Sequence, residues 1–257
     1  MTKATRVLAL SCGIAIVSLS LGWAKDPQVK SKKEAEAFQA MQQALQVGTP
    51  DSQLKALEDF LTKFADTDFK VLLLTNAMQL AQQKRDAPLT ITYAERVIEV
   101  DPKNFDAYIT MASETSNGAK EFDLDRAEKT AKVQKWAQAG LENVKTYPKP
   151  FSQLPDAQWA QQKATAVAQA HGALAMMAQV NKKMDDAIAE FKLSLESSPD
   201  PVMMFRLGEA YMKALKWDES TAAFDKVLAA ADTPPQVKQY AEQRKVEVAK
   251  MKAAAAK

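Results

Sequence analysis

The chain has one histidine, one cysteine and only 7 glycines, each isolated from the others. Each shortage removes a class of chemistry. With His171 as the only imidazole, a Ser-His-Asp arrangement would depend wholly on that residue, and a histidine-based metal site has no second ligand of its kind. Isolated glycines build no phosphate-cradling loop, and no Asp-rich calcium loop with its central glycine occurs. Alternating β-branched runs are missing too, which argues against a sheet protein. Cys12 has no partner cysteine, so no intrachain disulfide can form.

Neither sign of charge is in large excess: 34 basic residues face 32 acidic ones. Lys3 and Arg6 precede an apolar run from Val7 to Leu21, and Gly22-Trp23-Ala24 places small residues at the two positions a signal peptidase reads. Residues 1–24 therefore read as a secretory signal, cleaved after Ala24. The run is shorter than the roughly 20 residues a spanning helix needs; an uncleaved anchor is the alternative. Cleavage removes Cys12, and loss of Lys3 and Arg6 leaves 32 basic against 32 acidic residues. A neutral chain with no basic stripe interleaved with aromatics has no general attraction for nucleic acid. Membrane contact is expected only if the leader is retained, because a mean hydropathy of -0.31 argues against a polytopic membrane protein.

What is abundant is Ala, Gln, Lys and Glu, the composition of long helices. Within it, 174–199 and 207–232 carry one pattern of small and large apolar residues, offset by 33 positions. The second copy reads Leu207-Gly208-Glu209-Ala210-Tyr211, then Trp217-Asp218-Glu219-Ser220, then Phe224-Asp225-Lys226-Val227-Leu228. The first answers with Leu174-Ala175, Met184-Asp185-Asp186-Ala187, Phe191-Lys192-Leu193-Ser194-Leu195 and Pro199. Gly208 or Ala175 lets a second helix approach closely through Ser220 or Ala187. Tyr211, Phe224 and Leu228 fill the space between helices and against the next pair, since one pair alone cannot bury its apolar face. Lys183-Met184-Asp185 and Lys216-Trp217-Asp218 mark tight turns, with Asp near the positive end of the following helix.

A period of about 34 residues with this small-and-large pattern resembles the tetratricopeptide repeat. It is clearest at about 168–200 and 201–234, and weaker at 34–66 and 71–104. The expected fold is all-α: an α-solenoid of stacked antiparallel helix pairs with a C-terminal capping helix. A polar leader spans 25–33, N-terminal pairs 34–146, a Pro-rich break 147–155, C-terminal repeats 156–233 and the cap 234–252. In the third pair a long helix from Asp123 through Trp136 to Val144 reads as an insertion that displaces the register and divides the solenoid in two. Val237, Tyr240 and Val248 suit the packed face of the cap, and 252–257 reads as frayed.

No catalytic constellation stands out. Asp185-Asp186 is a plausible carboxylate pair, but adjacent helical positions diverge, so it reads as a helix start. Met176-Met177, Met203-Met204 and the tryptophans at 136, 159 and 217 read as packing groups. No metal and no cofactor is expected. The resemblance implies that the first helix of each pair lines a concave groove. That places Thr75, Gln79, Gln82, Ile109, Ser113, Met176, Gln179, Phe205, Glu209 and Met212 toward a protein or peptide partner. Asn76 and Arg206 lie near positions that clamp a terminal carboxylate in some family members, but the accompanying basic set is missing. The expected function is a non-catalytic, exported scaffold or adaptor binding another polypeptide in the bacterial envelope, hence periplasmic. An inner-membrane-tethered adaptor is the alternative, and an enzyme using His171 or a carboxylate pair is the third reading.

Overall fold

A computed structural model describes residues 27–150 and 154–256. The leader with its cleavage point after Ala24, and residues 151–153 of the break, lie outside the described residues.

Helix starts are written in local chemistry. Ser31, Thr49, Asp86, Asn104 and Asp200 each accept a backbone N–H from three residues ahead, which satisfies donors that a helix end leaves orphaned. Proline occupies the first turn where its missing N–H costs nothing, at Pro50, Pro88, Pro201 and Pro235. Eleven helices result among the described residues, with no strand. They are α1 (Lys32–Val47), α2 (Pro50–Lys63), α3 (Lys70–Gln83), α4 (Ala87–Val100), α5 (Phe105–Gly118), α6 (Arg126–Thr146), α7 (Asp156–Val180), α8 (Met184–Ser197), α9 (Pro201–Lys213), α10 (Trp217–Ala229) and α11 (Pro235–Ala255). Each helix packs on the next in sequence, and α11 closes the series against α10 and α9. This is a solenoid of five antiparallel pairs and a terminal helix.

The turns inside three pairs share one geometry. Arg85, Lys182 and Leu215 have φ of 57°, 61° and 59°. The following residue in each turn donates its N–H back across the last helical turn, to Ala81, Ala178 and Tyr211 at 3.0, 2.9 and 2.9 Å. This closure favours glycine, which the chain does not supply. Leu215 is 64% exposed, so its side chain returns little in exchange for the strained backbone. Leu215→Gly is therefore expected to raise stability by about 1 kcal/mol, read as a higher urea midpoint at unchanged slope.

The core passes from pair to pair through the first helices. One cluster runs from Met41 to Met111 and includes Leu57, Leu73, Met78 and Val97. A second joins α5, α6 and α7 through Ile109, Val133, Trp159 and Met177. A third joins α7, α8 and α9 around Phe191 and Leu207, and the last joins α9, α10 and α11 around Phe224 and Val248. Phe191 and Phe224, 33 residues apart, are both fully buried. Gly208 allows a close approach: a Cβ there would lie 2.7 Å from the Phe224 ring. Ser220 Oγ donates to the Gly208 carbonyl at 2.8 Å across this contact.

The structure departs from the sequence reading in four places. The helix expected from Asp123 begins at Arg126, because Asp123 accepts the Lys120 N–H at 2.9 Å and pairs with Lys129 at 2.7 Å, holding a turn instead. The break after α6 does not divide the core. Tyr147 is buried there, edge-on to Phe105 with ring centroids 5.2 Å apart; its hydroxyl donates to Asp101, beside Asn104, the α5 cap. The final helix extends to Ala255 rather than fraying at 252. Tyr240 is 47% exposed, while Val248 is buried as its neighbour in the expected packed face. No helix among the described residues is long and apolar enough to cross a membrane.

Candidate functional site

Five buried polar side-chain atoms lack a hydrogen-bond partner among the described residues: Thr75 Oγ1, Gln79 Nε2, Gln162 Oε1, Gln179 Nε2 and Arg206 Nε. All five belong to first helices, namely α3, α7 and α9. Buried polar groups in folded proteins are ordinarily satisfied, and each one left without a partner costs about 1–3 kcal/mol. Two of them, on Gln179 and Arg206, border a cavity on the first-helix face.

Two adjoining cavities form on that face. The first, about 240 Å³, is lined by α5 through Thr110, Ser113 and Asn117, by α7 through Gln169 and Met176, and by Met203 of α9. Glu114 and Gln82 close its α3 side with a hydrogen bond of 3.3 Å. The second, about 380 Å³, shares Ser116, Asn117 and Met176 with the first. It continues past Gln179 to Lys120, Arg206 and Lys213. Together they make a trough between α5 and α7, with α9 as one wall.

The groove residues expected from the sequence fall into three groups. Gln82, Ser113, Met176 and Gln179 line the two cavities, and Thr75 and Gln79 carry unsatisfied atoms on α3. Ile109 is 1% exposed and is a core residue, because the long α6 brings Gly140 against it; a Cβ on Gly140 would sit 2.5 Å from Ile109 Cγ1. Phe205, Glu209 and Met212 form a different stripe of α9, turned toward α10 and α11. Phe205 packs on Phe224 at 5.4 Å, Glu209 accepts from Arg244 of α11 at 3.1 Å, and Met212 is buried. The capping helix occupies the place a further first helix would take, so this stripe is covered. Thr110, Asn117, Gln169 and Arg206 take the place of these four in the trough.

Elsewhere several polar groups are matched within the chain. On α2 and α4, Glu58 meets the Arg96 guanidinium; partial burial alone would raise its pKa, but hydrogen bonds from Arg96 and Tyr93 hold the carboxyl below its ordinary value. Burial, with Glu58 beside it, pushes the Tyr93 hydroxyl up to about 12. His171 Nδ1 lies 2.7 Å from Glu190 Oε2, its only hydrogen-bond partner among the described residues. Asp185 pairs with Lys216 at 2.7 Å in the first turn of α8. No group of three or more His, Cys, Asp or Glu among the described residues is placed to hold a metal ion.

No family model and no curated protein matches the sequence. Solved structures do match. A MamA protein is 14% identical, with a TM-score of 0.55 over 77% of this chain and 91% of that one. The MamA RS-1 double mutant is 15% identical, with a TM-score of 0.50 over 82% and 98%. A TPR protein from Thermus thermophilus is 15% identical, with a TM-score of 0.49 over 82% and 97%.

The fold is that of a tetratricopeptide-repeat solenoid.

In tetratricopeptide terms α1, α3, α5, α7 and α9 are the first helices of five repeats and α11 is the cap. The lengthened α6 and α7, of 21 and 25 residues, are the departures from regular repeats.

Proposed function

We propose that this tetratricopeptide-repeat protein is an exported, non-catalytic scaffold that binds another polypeptide along the first-helix face. The concentration of unsatisfied buried atoms on first helices carries this reading. An extended peptide brings alternating N–H and C=O groups, which suit the side-chain amides of Gln79 and Gln179 on first helices. Catalysis finds less support: His171 is engaged with Glu190, and no hydroxyl or thiol among the described residues bonds to it. The apolar N-terminal run and its small-residue end support export to the periplasm.

A photo-reactive amino acid tests the face. Placed at Gln79, Ser113 or Gln179 it should trap one polypeptide species in the envelope fraction. Placed at Asp59, Glu95 or Lys226, exposed on second helices, it should not. Equal trapping from both sets would overturn the groove. Amino-terminal sequencing of the exported protein should begin at Lys25, whereas a Met1 start would favour the tethered adaptor.

A further inference from the structure

We infer that the second cavity, between the C-terminal ends of α5 and α7 and the wall of α9, binds an aspartate or glutamate side chain within the partner segment. This deepens the groove reading and rests on it. Three observations point the same way. Arg206 offers N–H donors alone, and its Nε, with Gln179 Nε2, has no partner among the described residues, so a ligand that these side chains turn to meet at the cavity wall would bring acceptors. Arg206 and Lys213 have no ion pair among the described residues, and the cavity's own carboxylate, Glu121, is taken by Lys182 at 2.7 Å. Lys120 adds a third cation at the rim, where nearby Asp123 is held by Lys129.

Helix C-termini carry partial negative charge, which would oppose an anion here. Their carbonyls are capped. Ser116 O accepts from the Ala119 N–H, Met177 O from the backbone and side chain of Asn181, and Ala178 O and Gln179 O from Lys183 and Lys182. The guanidinium and ammonium groups then dominate the local field. The neighbouring cavity, floored by Ala173, Met176 and Met203, continues the trough, so the segment can pass through and the carboxylate can belong to an internal side chain. Its Met and Ala floor suits an apolar neighbour in that segment.

The test uses the full chain and pools of acetylated, amidated heptapeptides in which the central residue is Glu, Asp, Gln or Lys and the flanking positions are mixed. Fluorescence anisotropy should show the Glu or Asp pool binding about tenfold more tightly than the Gln pool, the low end of what a charge-assisted hydrogen bond contributes. Arg206→Met should abolish the preference without lowering the thermal unfolding midpoint, and Lys213→Met should reduce it. Equal binding of the Glu and Gln pools overturns the inference, as does a preference that survives both substitutions together. So does tighter binding of a Gln pool with a free carboxyl terminus, which would assign the site to chain ends. If the Gln pool binds equally and protects α5 and α7 from hydrogen exchange, the groove stands and only the acidic subsite falls. If no pool binds and the photo-reactive positions trap nothing, both fall.

Discussion

Phe224→Ala is expected to lower stability by about 4 kcal/mol, because a fully buried ring at the centre of the last repeat is lost and the site cannot collapse around it. Gly208→Val attacks the same contact from the other side. With Phe224 only 2.7 Å from where the Cβ would stand, the two helices must separate, at a cost of about 3 kcal/mol. The location of the loss is as informative as its size. Repeats in a solenoid stabilise mainly their neighbours, so native-state hydrogen exchange should show α9, α10 and α11 opening first while α2, α3 and α4 keep their protection. Uniform loss along the chain would mean that the pairs do not act as a linear series.

Replacing Asp106 should change the response of stability to pH. Asp106 lies in the first turn of α5, and its carboxyl has no ion pair or hydrogen bond among the described residues. Burial pushes its pKa from the ordinary 3.8 up to about 6. The folded state therefore holds this proton more tightly than the unfolded chain. Stability contributed by the neutral carboxyl is fully present below the unfolded value and is lost as pH rises toward and through about 6. Asp106→Asn should add about 2 kcal/mol near pH 7, make no difference near pH 3, and flatten the profile between. Urea titrations across that range check it. A parallel offset at every pH would assign the effect to packing instead.

Much of this fold is legible because helix pairs repeat a constraint. Gly208, Ser220 and Phe224 must be small, small and large wherever two helices cross closely, so the pattern recurs 33 residues earlier at Ala175, Ala187 and Phe191. The third pair is harder to read. Nothing near Gly140 announces that it would admit Ile109, and the α6 extension rotates the choice of groove residue on α5 from Ile109 to Thr110. On α9 the periodicity finds two apolar stripes and cannot rank them. Only the packing of α11 shows that Phe205, Glu209 and Met212 are covered and that Met203 and Arg206 face the trough. Gln169 opens the clearest repeat, but its counterpart 33 residues on is the apolar Val202, so the repeat pattern gives no sign of a polar groove position there.

The direct measurement is hydrogen exchange of the protein with and without the polypeptide trapped at the photo-reactive positions. If first helices form the receiving face, added protection will fall on α3, α5, α7 and α9, strongest near Asn117 and Gln179. Protection centred on α2, α4, α8 and α10 would contradict it.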